Sequence, residues 1–293
     1  MTWPTFAPAL ILTALSLLLG WRALPLHPSW SARILVISGV STALAVLSTV
    51  LLVAAVFIAG FLPPEAVLGW GGKGHLLLDH GPVPVHLGAM ALVLLGVGLY
   101  GTVRLGVGMY RDIRMVRDAP GSVTDQERPI ALAVPGYRGG VLVSRGLMRL
   151  LTRDQLQVVF RHEHAHLRHR HHVYTTLGAL SAAVFPPLGT LQKSLRLALE
   201  RWADEDAAQA TGSRELVAHT IARVALAAPD PRPTWHLALA DSHVVQRVRA
   251  LLGEAPSGNP VAGPALLGST GVASSGIASS CFQLHHFAAL LLL

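Results

Sequence analysis

Cysteine is almost missing from this chain of 293 residues: Cys281 is the sole one. An intrachain disulfide and a cysteine-ligated metal site are therefore excluded, and Cys281 reads as a small apolar residue of the tail. Lysine is nearly as scarce. Only Lys73 and Lys193 occur, so 21 of the 23 basic residues (23 − 2) are arginines. Charged residues make up 13% of the chain and aromatics 6%. The formal net charge of +7 comes without a basic stripe interleaved with aromatics, which argues against direct nucleic-acid binding. No internal repeat is present.

What the chain has in excess is hydrophobicity. Hydrophobic residues are 52% of the total and the mean hydropathy is +0.49, the composition of an integral membrane protein. Phe6 to Trp21, Ile34 to Leu62 and Val85 to about Val107 approach or exceed the roughly 20 residues that a bilayer crossing demands. Pro260 to Leu293 is a weaker fourth span, glycine- and serine-rich in its middle. Phe6 to Trp21 reads as a retained anchor, because Met1 to Pro8 carries no positive side chain and no small-residue cleavage site follows. Arg22 and Arg33 mark the first loop, and Arg111, Arg114 and Arg117 follow the third span. The loop between mixes Lys73 with Glu65 and Asp79. The positive-inside tendency puts the first and third of these segments in the cytoplasm. The expected organisation is a membrane domain of three transmembrane helices over residues 1–110, a cytoplasmic domain over 111–258, and a C-terminal transmembrane segment over 259–293. The fold class is mainly α and polytopic, with a small strand element.

The chemistry is written in His162-Glu163-His164-Ala165-His166. Residues four apart lie on one helical face, so His162 and His166 can direct ring nitrogens at a single tetrahedral zinc. Glu163 projects from the neighbouring edge, where it can reach the attacking water without being a ligand, as a general base must. Thr152-Arg153-Asp154-Gln155 is a capping box that starts the helix, and the pattern runs from about Arg153 to the region of His172. Arg168, His169, Arg170, His171 and His172 suit a helix C-terminus with its negative dipole end. Downstream, Glu200 is read as the third ligand. Two histidines and one glutamate leave the fourth position open, as a catalytic zinc site requires. Asp204, one turn beyond Glu200, shares its face and can accept the outer N–H of a ligating histidine. Glu205 and Asp206 read as part of a solvated acidic face.

Ile130 to Val134 and Val141 to Ser144 read as short strands separated by Pro135-Gly136 and Gly139-Gly140. Asp118 to Pro129 reads as a linker and Ala228 to Pro233 as a loop. Val173 to Leu191 is apolar, yet a full crossing there would put His166 and Glu200 on opposite sides of the membrane. It must be a buried helix, a membrane-dipping hairpin or a surface-docked element, with a break at Pro186-Pro187.

Arg161-His162-Glu163-His164-Ala165-His166-Leu167-Arg168 and Glu200-Arg201-Trp202-Ala203-Asp204 resemble the two motifs of gluzincin-type membrane metallopeptidases, most closely the BlaR/MecR-type sensor-transducer peptidases, over about Gly136 to Leu252. Gly140 to Leu147 is similar to the strand and turn that precede the active-site helix of that family. The resemblance implies a gluzincin-like zinc peptidase domain in which His162, His166 and Glu200 bind zinc, Glu163 is the general base and Asp204 supports the site. It also implies substrate binding by edge addition to a strand, a role that falls to Val141 to Ser144. The related HtpX and CAAX-prenyl-protease group shares both motifs and carries a downstream His-Pro-Pro…Arg element, of which Ser242-His243-Val244-Val245-Gln246-Arg247 keeps the His and the Arg. His243, Arg247, Tyr174 and His236 are candidate transition-state donors.

Three readings follow. The first is a zinc metalloendopeptidase in regulated proteolysis, whose protein substrate would by resemblance be a transcriptional repressor. The second is an HtpX-like quality-control protease acting on membrane proteins. The third is a non-enzymatic His-rich metal-binding membrane protein, which leaves Glu163, Glu200 and Asp204 unexplained.

Overall fold

The computed structural model describes residues 6–22, 24–69, 74–75, 82–117, 123–134, 140–227, 234–256, 264–265 and 268. Apart from those last three positions, the fourth span expected over Pro260 to Leu293 lies outside the described residues, as does the loop expected over Ala228 to Pro233.

Helix α1 (Ala7–Trp21) leads into α2 (Pro28–Ala59), where Pro28 sits at the first position and the His27 side chain accepts the Ser29 N–H. Proline costs nothing at that position, since its missing N–H would be unsatisfied anyway. A short helix α3 (Pro64–Leu68) follows, then α4 (Val85–Arg117). Residues Pro28–Ala59 and Val85–Arg111 are long and apolar enough to cross a membrane. Their surroundings differ. Most of the α2 stretch is buried, whereas α4 turns Met90, Val93, Leu99, Tyr100 and Val103 outward.

Three strands come next: β1 (Val123–Thr124), β2 (Ala131–Val134) and β3 (Gly140–Ser144). The linker expected over Asp118 to Pro129 thus contains a strand. In the sheet order β1-β3-β2, β3 is central, parallel to β1 and antiparallel to β2, with Ala131 opposite Val143 and Ala133 opposite Val141. The expectation that Val141 to Ser144 binds substrate by edge addition meets a central strand: Val143 and Ser144 pair with β1 on one side, and Val141 to Val143 with β2 on the other. β1 and β2 are the outer strands, and among the described residues the second side of β2 is unpaired.

Helices α5 (Arg145–Leu150), α6 (Arg153–Arg168), α7 (His171–Val184), α8 (Gly189–Thr211), α9 (Arg214–Ala227) and α10 (Thr234–Leu252) complete the described fold. The capping box forms as expected at the start of α6: Gln155 N–H donates to Thr152 Oγ1 at 3.3 Å, and Thr152 N–H to Gln155 Oε1 at 3.2 Å. Its far end differs. α6 stops at Arg168, Arg170 takes a left-handed conformation (φ 54°), and His171 begins α7.

The apolar stretch from Val173 to Leu191 is a helical hairpin. Pro187 restricts its predecessor and Pro186 holds Phe185 extended (φ −133°, ψ 92°), so α7 ends and a 3₁₀ turn at Pro186–Leu188 hands the chain to α8. The expected break is there, and it returns Glu200 to the side of His166. The hairpin packs on α1, α2 and α4 by close backbone approach. A Cβ on Gly20 would lie 2.8 Å from Leu191 N, and one on Gly101 2.6 Å from Ala183 O.

Two cores meet along α8. Its first half, through Leu191, Leu195, Leu199 and Trp202, packs with Leu19, Ile34 and Leu35 of α1 and α2. Its second half, through Ala207 and Ala208, packs with Val158 of α6, Val217 of α9 and Leu251 of α10. Glu200 and Asp204 sit at the junction.

Candidate metal centre

His162 and His166 lie one turn apart on α6, and their Nε2 atoms approach to 3.1 Å. Helix α8, held against α6 by the second core, brings Glu200 alongside: its Oε2 is 3.5 Å from His162 Nε2 and its Oε1 3.8 Å from His166 Nε2. One donor atom from each residue lies within 4.8 Å of the others. Two nitrogens bound tetrahedrally at about 2.0–2.1 Å from zinc would be roughly 3.3 Å apart. The donor set and its spacing fit a zinc ion with three protein ligands and an open fourth position, the arrangement expected of a catalytic site.

Around these three residues the polar groups are tied together. His162 Nδ1 is 3.0 Å from Asp204 Oδ1, the contact expected from sequence. Arg247, from α10, donates to both Asp204 oxygens, Nε to Oδ2 at 2.8 Å and Nη2 to Oδ1 at 2.7 Å, while its Nη1 is 3.2 Å from Glu200 Oε2. His166 Nδ1 is 2.9 Å from Nδ1 of His171. The electrostatics follow from this packing. Burial opposes ionisation of Glu200 and Asp204, yet both carboxyls are held below their usual range by hydrogen bonds and by the positive charges of His162 and Arg247. Burial also opposes a charged His162, but Asp204 and Glu200 raise its pKa to about 9. His166, buried beside that charge, falls to about 4, and His171 falls to about 3 through burial and the neighbouring His166 and His169. Glu163 moves the other way. Burial raises its pKa, against the pull of His162 and a backbone hydrogen bond from Ala133 of β2.

That last contact joins the sheet to the site. Ser144 N–H donates to Ile130 O at 2.9 Å, so the backbone groups of Ile130 face β3. Alternation along an antiparallel pair then turns those of Leu132 and Val134 inward, and those of Ala131 and Ala133 outward. A cleft of about 400 Å³ runs along this open edge. It is lined by Ala131, Leu132 and Ala133 of β2, by His162, Glu163, His166 and Glu200, and by His172, Thr175, Thr176 and Arg196.

Of the other candidates, His243 lies one turn before Arg247 and is half-buried; among the described residues no hydrogen bond or ion pair joins it to His162, His166 or Glu200. Tyr174 packs against Trp202 in the first core, 6.2 Å between ring centres. The side chain of His236 lies outside the described residues. Glu205 and Asp206 are not the solvated face expected of them. Glu205 accepts from Arg214 at 2.7 Å, and Asp206 lies 3.0 Å from His169 Nε2, all four side chains at most 24% exposed. Sequence reasoning missed His171 altogether, because a spacing of five from His166 follows no helical face and the break at Arg170 is what turns it back.

Comparison with known proteins reaches the same region. Residues 122–197 match Peptidase family M48, from the start of the sheet into α8, ending three residues before Glu200. The Protease HtpX homolog of Thermodesulfovibrio yellowstonii is 35% identical over 71 residues, which are 24% of this chain and 25% of that protein. The chain therefore spans about a quarter of the length of this curated relative. No solved structure matches. The two matches bear out the resemblance to membrane zinc metallopeptidases, on its HtpX side.

Proposed function

We propose that this chain, whose residues 122–197 match Peptidase family M48, is a membrane-bound zinc metalloendopeptidase that hydrolyses peptide bonds of protein substrates. The observation that carries the reading is the convergence of His162, His166 and Glu200 donor atoms within 4.8 Å, with Glu163 and residues of β2 lining the same cleft. Zinc held there would polarise the scissile carbonyl and acidify the attacking water. Glu163 takes the water proton and delivers it to the leaving amine. Its raised pKa suits that exchange, since a general base works best with a pKa near the ambient pH. The outward N–H of Ala131 and the outward C=O groups of Ala131 and Ala133 pair with an extended substrate and hold its backbone across the site, while the Ala133 N–H is directed at Glu163.

The membrane reading rests on the two apolar helices of crossing length and on the apolar residues that α4 turns outward. Arg22 and the arginines of α4 beyond Val107 favour a cytoplasmic peptidase domain by the positive-inside tendency. The helical hairpin α7–α8 packs into the α1, α2 and α4 group, so the cleft stands close to the bilayer. Substrates are therefore membrane proteins or partners presented at the membrane. The likeness to an HtpX homologue favours broad cleavage of membrane proteins, and single-target cleavage of a transcriptional repressor is the second reading.

Cellular protein N-termini, compared between native membranes carrying wild type or Glu163→Gln at matched levels, test this. New termini confined to wild type are expected, many under the first reading and one under the second. Identical termini under several stresses, with both forms holding zinc, would sink the peptidase assignment.

A further inference from the structure

We propose that His171 is the positioning residue of the second zinc ligand: it accepts a hydrogen bond from His166 Nδ1–H and so reserves His166 Nε2 for the metal. The inference rests on the metal-site reading above. It starts from an asymmetry. His162 turns its Nδ1 to a carboxylate, Asp204, at 3.0 Å, whereas His166 turns its Nδ1 to another imidazole at 2.9 Å. Two ring nitrogens that close share one proton, and only two arrangements of neutral rings are possible. If His171 donates, its Nδ1 carries the proton and His166 Nδ1 is the bare acceptor. The His166 proton then sits on Nε2, which is turned toward His162 Nε2 at 3.1 Å and Glu200 Oε1 at 3.8 Å, and blocks coordination. If His166 donates, its Nε2 lone pair is available and His171 carries its own proton on Nε2.

His171 is built to hold one pose. It is 2% exposed, starts α7 directly after the left-handed Arg170, and its ring is packed against His169, Trp202 and Tyr174 at centroid distances of 5.8, 4.9 and 6.5 Å. Among the described residues its buried Nε2 has no hydrogen-bond partner. Either tautomer leaves that nitrogen unpaired, as a bare acceptor or as an N–H, and each costs when buried. Zinc at His166 Nε2 would therefore decide between them, in favour of His171 as the acceptor. A carboxylate in this place would need no tautomer at all. Partners of ligating histidines typically change metal affinity by about 10–100-fold when removed, and an imidazole partner leaves this half of the site more weakly committed than the half held by Asp204.

The test uses the full chain in lipid nanodiscs and reads zinc affinity by competition with a chromophoric chelator. Asparagine Oδ1 is as many bonds from the backbone as histidine Nδ1, so His171→Asn keeps a neutral acceptor, while His171→Phe keeps the ring and removes it. The expected result is a zinc dissociation constant raised about 10–100-fold in His171→Phe and within a few-fold of wild type in His171→Asn, with unchanged helix content in both. Equal affinity in His171→Phe, or equal losses in the two folded variants, would overturn the proposal. The wild type supplies a readout that needs no variant: ¹⁵N-histidine spectra of the zinc-loaded protein should show His171 protonated at Nε2 and bare at Nδ1, and a proton on its Nδ1 would also overturn it. Failure of the wild type to bind zinc would instead remove the metal-site reading on which this inference stands.

Discussion

Arg247 grips both carboxylate oxygens of Asp204 across 43 residues of sequence, with contacts of 2.8 and 2.7 Å. Asp204 in turn holds His162. The clamp thus connects α10 to His162 through a side chain that is 2% exposed, and it also draws Nη1 to Glu200. Arg247 is occupied by the site's own carboxylates. This geometry makes it a support of the ligand set more than a donor to substrate.

Removing that support should be costly. Arg247→Ala leaves Asp204 buried without its cation, a loss of about 3–5 kcal/mol in comparable cases. Arg247→Lys keeps the charge and loses the fork that matches two oxygens, so an intermediate loss is expected. Thermal unfolding with zinc content measured on the same samples checks both. A wild-type melting temperature in Arg247→Ala would refute the clamp.

Zinc itself should stabilise the fold. A ligand at about 100 times its dissociation constant adds roughly 2.7 kcal/mol to the bound state. Chelation is therefore expected to abolish peptide hydrolysis and lower the unfolding temperature, with both restored by zinc. Glu200→Ala should not regain either at the same free zinc. Recovery there would remove Glu200 from the ligand set, which matters because the family match stops short of it.

The open edge of β2 predicts a contrast between adjacent positions. Ala133→Pro deletes an outward N–H, which reaches Glu163, and leaves the ladder to β3 intact. Leu132→Pro deletes an inward one. Ala133→Pro should lower kcat/KM about tenfold, the value of a hydrogen bond to substrate or to a charged group, with little change in unfolding temperature. Leu132→Pro should lower the unfolding temperature. The reverse pattern would mean that β2 presents its other face to the cleft.

Arg170 carries a left-handed backbone (φ 54°), which costs a non-glycine residue on the order of 1–2 kcal/mol. Arg170→Gly is expected to raise stability by up to about 1 kcal/mol, after the larger entropy of the unfolded glycine is subtracted, and to leave zinc binding unchanged. Denaturant unfolding measures the first and chelator competition the second. Lower stability would mean that the Arg170 side chain contributes more than its backbone costs.

His162, Glu163 and His166 were legible in the sequence because their relation is local: a capping box and one helical turn set their geometry wherever the chain goes. Hydropathy made α2 and α4 legible for the same reason, as did proline chemistry for the break at Pro186-Pro187. Even Glu200 and Asp204 could be paired by their own helical spacing, once two histidines called for a third ligand. Other relations were settled only by tertiary contact. Whether Val141 to Ser144 or Ala131 to Val134 is the open edge depends on where β1 pairs, and strand order has no local code. Arg247 keeps one turn of spacing from His243 without the prolines of the HtpX-type element, and its grip on Asp204 needs α8 and α10 to pack against each other. His171 reads as one more basic residue at the end of a helix until the chain reverses at Arg170 and sets it against His166. Sequence encodes what a single turn of backbone can enforce; which distant groups then share a proton or a carboxylate is decided by how the helices pack.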